Sequence, residues 1–159
     1  LHFLVQLAKA FCPGSDDSRA LRKFARFDPT AQAPHRSFLF LQGPQSPFMR
    51  RLGLAMHGLG VRVLKINLCG GDVYHWPRPF TRWYRGSRLD WPAFVAAVME
   101  RYGVTDLILI GDKRPLNQDA ICLAKARGIA IHVLEEGYLR PSYITMERGG
   151  VNSNSSLPA

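Results

Sequence analysis

The sequence predicts an α/β fold, a Rossmann-like parallel sheet with flanking helices. Three observations carry that expectation. Short apolar runs alternate with stretches of helical period, the helical stretches end at glycine, and Gly/Pro turns bound the runs. The composition agrees: 159 residues, 47% hydrophobic and 21% charged, suit one domain with a real core and exclude a disordered chain, a collagen or a disulfide miniprotein.

Residues 1–36 read as an extension and linker, and residues 37–159 as the folded domain. Leu1, Leu4, Ala8 and Phe11 recur at helical spacing and permit a short amphipathic helix. Pro13-Gly14-Ser15-Asp16-Asp17 is a turn cluster, and Asp28-Pro29 through Ala33-Pro34 reads as a linker. Ser37 to Leu41 is an apolar run ended by Gly43-Pro44, as in a buried parallel strand. Pro47 can open a helix with Phe48, Leu52, Ala55, Met56 and Leu59 on one face, stopped by Gly58 and Gly60. A second strand spans Val61 to Leu68. After a polar and aromatic insertion, Asp90 can cap a helix whose inner positions are Phe94, Val95, Val98, Met99 and Tyr102, closed by Gly103. Asp106 to Ile110 is a third strand. Asn117 to Arg127 is a helix with Ala120, Ile121 and Ala124 inward, and Ile129 to Leu134 is a fourth strand. Strands alternating with helices imply right-handed crossovers and a parallel sheet covered on both faces.

The formal charge of +9, from 21 Lys and Arg against 12 Asp and Glu, favours an anionic partner. Nucleic acid, a phospholipid surface, or a phosphorylated or carboxylated small molecule would each answer to it. Sixteen of the 21 basic residues are Arg, whose planar fork makes two-point contacts with carboxylate and phosphate, so small-anion recognition gains over diffuse DNA binding. Cys12, Cys69 and Cys122 are widely spaced without a C-x-x-C pair, which suggests neither zinc site nor disulfide framework and points to a reducing cytoplasm. No apolar run reaches the roughly 18 to 20 residues of a membrane span. Lys9 follows the first apolar residues, the reverse of a signal peptide.

In a parallel sheet the ligand sits beyond the carboxyl ends of the strands, which selects four loops. Gln42 to Pro47 stands where a dinucleotide fold places G-x-G-x-x-G, but has one Gly and two Pro. Its Ser46 and the amides behind it could meet a phosphate or carboxylate, or the loop could be only a rigid turn. The second loop carries Asp72, Tyr74, His75 and Trp76, then Arg78, Arg82, Trp83, Tyr84, Arg85, Arg88 and Trp91. Arg among aromatics suits an acidic sugar, a lipid head group or a single-stranded nucleic acid; the bland alternative is a solvated loop whose Trp residues plug the core. The third loop holds Asp112 and Arg114, which could orient a hydroxyl and an anion; alternatively Asp112 pairs with Arg114 or caps the next helix. The fourth, Glu135-Glu136-Gly137-Tyr138-Leu139-Arg140-Pro141, ends a hydrophobic strand in two carboxylates. Adjacent carboxylates repel, so the pair suggests a nucleophile, charge stabiliser or base; a salt bridge to Arg140 is the alternative.

At these residues the sequence resembles bacterial capsular polysaccharide biosynthesis and export proteins, a capsule-synthesis family that includes retaining β-Kdo transferases. The resemblance rests on FLFLQGPQSPF (Phe38 to Phe48), NLCGGD (Asn67 to Asp72), WYRG (Trp83 to Gly86), GDKRP (Gly111 to Pro115) and EEGYLRPSYITMERGGVN (Glu135 to Asn152), and covers residues 37–158. It implies transfer of 3-deoxy-D-manno-octulosonic acid (Kdo) from CMP-Kdo to an anionic phospholipid, at the cytoplasmic face of the inner membrane, among other capsule-assembly proteins. It implies no cofactor beyond the donor substrate, no metal and no nucleic acid. The fold implied is the first half of a GT-B-like glycosyltransferase, without the second, nucleotide-binding domain. Glu136 matches the family's acidic position and would be the nucleophile of a double displacement. Glu135, Asp112 and Arg140 would orient or neutralise it, and Gln42, Ser46, Asp72, Arg114 and Asn152 would contact substrate. A fragment of this kind is expected to be inactive by itself. A non-catalytic export or assembly protein is the competing expectation within the family. Charge and the Arg/aromatic loop alone would also suit a nucleic-acid module, with oligonucleotide binding that falls steeply with salt.

Overall fold

The structure, a computed structural model, describes residues 36–136 and 144–149. The N-terminal helix, turn cluster and linker expected before residue 36 lie outside the described residues. The elements are β1 (Ser37–Phe40), α1 (Phe48–Gly58), β2 (Arg62–Asn67), α2 (Gly70–His75), β3 (Thr81–Trp83), α3 (Trp91–Arg101), β4 (Asp106–Ile110), α4 (Pro115–Ala126), β5 (Ala130–Glu136) and β6 (Ile144–Arg148). The sheet order is β3-β2-β1-β4-β5-β6, with every pairing parallel except β5 with β6. The Rossmann-like α/β expectation therefore holds, and the strand order reverses between β1 and β4.

The strands are buried because they carry side chains for both faces. Leu39, Leu41, Leu64, Ile66, Leu107, Leu109, Ile131 and Val133 pack on one face against Trp91, Val95, Val98 and Met99 of α3 and Ala120, Ile121 and Ala124 of α4. Alternate residues Phe38, Phe40, Val63, Ile108 and Leu134 pack on the other face against Met49, Leu52 and Met56 of α1 and against Trp76. This period of two is the pleat expressed as layers. The Trp76 ring sits so close to α1 that a Cβ built on Gly53 would lie 2.2 Å from it. Glycine there lets the indole reach Phe40, with ring centroids 5.3 Å apart, while its Nε1 donates to Pro79 O at 2.9 Å.

The three long helices leave for their next strands by one device. After α1, Gly60 (φ +83°) donates to His57 O at 2.9 Å and Val61 to Met56 O at 3.2 Å, the Schellman pattern. Gly103 with Val104 and Gly128 with Ile129 repeat both bonds after α3 and α4. A left-handed residue is required at this position, which glycine adopts without a steric penalty.

Some expectations need correction. The insertion after β2 contains the short helix α2 and the edge strand β3. The fourth helix begins at Pro115 rather than Asn117. Asp90 holds the N-cap position of α3 but makes no capping bond; its carboxylate turns back to accept from Ser87 Oγ at 2.6 Å. The last parallel strand runs on through Glu135 and Glu136, and β6 pairs with it antiparallel, Glu135 opposite Thr145 and Glu136 opposite Ile144. Side chains of neighbouring strand residues alternate in direction, and both carboxylates belong to the carboxyl end of β5.

Candidate active site

Where the strand order reverses, the loops after β1 and β4 turn away from each other and leave a crevice. A cleft of about 480 Å³ opens there, lined by the loop after β1, the start of α1, the loop and helix after β2, the turn after β4, and the end of β5. Of the residues singled out from the sequence, Gln42, Ser46, Asp72, Arg114, Glu135 and Glu136 line it. Asp112 lies in the turn after β4, buried and outside the lining. Arg140 and Asn152 lie outside the described residues.

Gln42 is the hinge of this arrangement. Its Oε1 accepts from the Arg114 guanidinium across the crevice, and its Nε2 points to Cys69 Sγ at 3.8 Å. One amide thus links the loops after β1, β2 and β4. Arg114 spends its reach on Gln42. Behind it, Asn117 is buried and donates from Nδ2 to Ile110 O at 3.0 Å and Gly111 O at 2.8 Å, fixing the end of β4. Ser46 Oγ accepts from Phe48 N at 3.4 Å at the start of α1.

The cleft floor contains an ion pair that sequence reasoning missed. Lys65, only 2% exposed in the middle of β2, donates to Asp72 Oδ1 at 3.1 Å and to Ile66 O at 2.7 Å. Burial pulls its ammonium below the ordinary lysine range, and the Asp72 carboxylate opposes that pull. The other Asp72 oxygen accepts from Leu68 N at 2.9 Å. Asp72, expected to contact substrate, therefore has both oxygens engaged within the chain and anchors the Leu68–Cys69 turn beneath the cleft. A lysine inside an apolar strand, with a carboxylate seven residues on, was the available signal. Arg50, on the first turn of α1, and His75 also line the cleft.

Two of the tryptophans do plug the core: Trp76 and Trp91 are fully buried, whereas Trp83 is 43% exposed with Arg85 stacked on it, centroid distance 5.1 Å. Among the described residues no three His, Cys, Asp or Glu side chains come together as metal ligands. No helix among them is long and apolar enough to cross a membrane.

Comparison with known proteins bears on this cleft. The sequence model of a family described as capsule polysaccharide biosynthesis protein matches residues 105–159, which include the turn after β4 and the Glu135-Glu136 block. The chain is 36% identical over 124 residues to the capsule polysaccharide export protein KpsS of Escherichia coli, covering 77% of this chain and 32% of that protein. It is 33% identical over 124 residues to the capsule polysaccharide modification protein LipB of Neisseria meningitidis serogroup A, covering 77% of this chain and 30% of that protein. The serogroup B protein of the same name matches to the same extent. The matched region thus spans about a third of the length of these curated relatives. The chain belongs to the capsule polysaccharide biosynthesis protein family.

Proposed function

We propose that this chain forms the acceptor-side half of a GT-B-like transferase that moves Kdo from CMP-Kdo to an anionic phospholipid. The observation that carries the reading is the cleft at the strand-order reversal, where Glu135 and Glu136 meet Gln42 and Arg114 from other loops. Glu136, at the exposed end of β5, attacks the anomeric carbon of the donor. The bond from that carbon to the CMP phosphate oxygen breaks, and CMP leaves with the electron pair. The acceptor hydroxyl then attacks the same carbon from the opposite side, releasing Glu136 and restoring configuration, while Glu135 takes the hydroxyl proton. Arg114 and Arg50 offer guanidinium groups to the donor's carboxylate and phosphate, and Ser46 and Gln42 offer neutral contacts. Arg140, Asn152 and Asp112 complete the proposed set, as orienting and neutralising groups.

The exposed side chains Tyr74, Trp83 and Leu89 lie on α2 and on the segment around the end of β3. Both are at the carboxyl edge, on the same side as the cleft. With Arg85 beside them they suit an anionic bilayer surface, which supports a peripheral position at the cytoplasmic face of the inner membrane.

The test is mass spectrometry of phosphatidylglycerol after incubation with CMP-Kdo and the full-length protein or its Glu136→Gln variant. One Kdo per lipid in the parent, and a loss on the order of 10³ or more in the variant, is expected. Equal transfer by both would remove Glu136 as nucleophile. The similarity to a capsule polysaccharide export protein of Escherichia coli favours a second reading, a non-catalytic export or assembly protein. A folded parent that makes no lipid product but binds capsule-assembly proteins would establish it.

A further inference from the structure

At the amino edge of the sheet, β2, β4 and β5 are each reached through a Schellman corner directly after a helix. β3 is reached differently, through Pro77 to Phe80, and Phe80 holds φ +63°, a backbone state that side chains rarely adopt. There the edge opens into a groove of about 370 Å³. Its floor is apolar, with Val63, Leu64 and Phe80, the last tilted against His57 at a centroid distance of 4.3 Å. Its polar lining is cationic: Arg62 and Arg82 contribute to it, and no Asp or Glu does. The cleft at the opposite edge, by contrast, is lined by both signs of charge, Asp72, Glu135 and Glu136 with Arg50, Lys65 and Arg114.

The donors around Tyr102 are arranged for an anion. Arg82 donates from both Nε (3.1 Å) and Nη2 (2.6 Å) to the Tyr102 hydroxyl oxygen, leaving that O–H to donate outward. Arg62 passes beside the next residue, its Nη2 3.8 Å from where a Gly103 Cβ would be. Arg62 and Arg82 share one face of the sheet by register, since Arg82 pairs with Ile66. Arg101 lies outside the groove lining, its guanidinium 6.0 Å from the Tyr102 ring centroid. Among the described residues none of these three arginines is in a salt bridge. Two arginines outside any salt bridge among the described residues, beside a hydroxyl donor and an apolar floor, suit a phosphate group on an apolar body.

We propose that this groove is a second binding site, for a phosphate group carried on an apolar body, separate from the cleft at the carboxyl ends. Arg62, Arg82 and the Tyr102 hydroxyl hold the phosphate oxygens, and Phe80 with the exposed edge of β2 beside Leu64 takes the apolar part. The site stands independently of the transfer reaction proposed for the cleft.

The experiment is calorimetric titration of the full-length protein with dihexanoyl phosphatidic acid below its micelle concentration, and separately with inorganic phosphate. Saturable binding that weakens at least about tenfold in Arg62→Gln is expected, the size of one lost charge-assisted hydrogen bond. The Arg62 side chain makes no hydrogen bond within the described residues, so this variant removes charge without removing a structural contact. Tyr102→Phe, which keeps the ring and loses the O–H, is expected to weaken binding several-fold. Binding of the lipid phosphate alone assigns a lipid source, and equal binding of both ligands assigns a free phosphate. Undiminished binding in Arg62→Gln, displacement by CMP-Kdo, or no saturable binding of either ligand would each overturn the proposal.

Discussion

The two ends of β4 hold charge in opposite ways. At the amino end Asp106 is buried, and its two oxygens take bonds from Arg36 (with Nε at 3.1 Å), His132 Nε2 at 2.8 Å and Thr105 Oγ1 at 2.7 Å. Every acceptor direction is used by the chain. At the carboxyl end, Arg114 and Gln42 face each other across an open cleft. The difference teaches where chemistry can occur: a carboxylate saturated by its own protein holds strands together, and side chains joined only across a crevice can exchange that contact for a ligand.

Substitutions at Asp106 and Arg114 separate the ends, and one in α1 gauges the packing of the layer beside them. Asp106→Ala should have the largest effect, about 3–5 kcal/mol of stability, because it leaves Arg36, Thr105 and the buried His132 without their shared acceptor. Chemical denaturation reads this, and transfer by the protein that remains folded should be unchanged. The same carboxylate predicts an acid limb. Burial pushes the Asp106 pKa up, but the bonds from His132, Thr105 and Arg36 outweigh it, so the group sits below its ordinary value. The unfolded chain therefore takes up the proton first on acidification. Asp106's contribution is complete above about pH 3.9 and fades as pH falls through the lower, folded value. A stability–pH curve for Asp106→Asn should show a shallower acid limb than the parent; a curve parallel to the parent's would remove Asp106 from that role.

Gly53→Ala should cost about 1–3 kcal/mol, since the new methyl overlaps the Trp76 ring and the helix and indole must separate. An unchanged melting temperature would show that the α1 face yields easily. Arg114→Gln should have the smallest effect on stability, within about 0.5 kcal/mol. It should raise KM for the donor without a matching loss of stability. A stability loss as large as that of Asp106→Ala would make the two ends equivalent and break the contrast.

The layers were legible in the sequence because buried strands and helix faces write themselves as apolar periods. Ala120, Ile121 and Ala124 are all buried as their spacing requires. Elements without such a period were not legible. α2 is GGDVYH, with no apolar face, and β3 is three residues paired along the sheet edge, set by its backbone bonds to β2. The cleft was legible through the rule that ligands gather beyond strand carboxyl ends, which picked out Gln42, Ser46, Arg114, Glu135 and Glu136. The Lys65–Asp72 pair was not, because its partners belong to different elements and only folding brings ammonium and carboxylate to 3.1 Å. That Glu135 and Glu136 are themselves strand residues, paired with Thr145 and Ile144, also required the fold.

The placement of the indoles gives the molecule three optical probes, one in each environment. Trp76 reports on the α1 layer, Trp91 on the layer of α3 and α4, and Trp83 on the solvent at the carboxyl rim. The two buried rings should emit at shorter wavelength than the exposed one. Single-tryptophan versions would then show whether the two layers melt together, and whether the rim changes surroundings before either does.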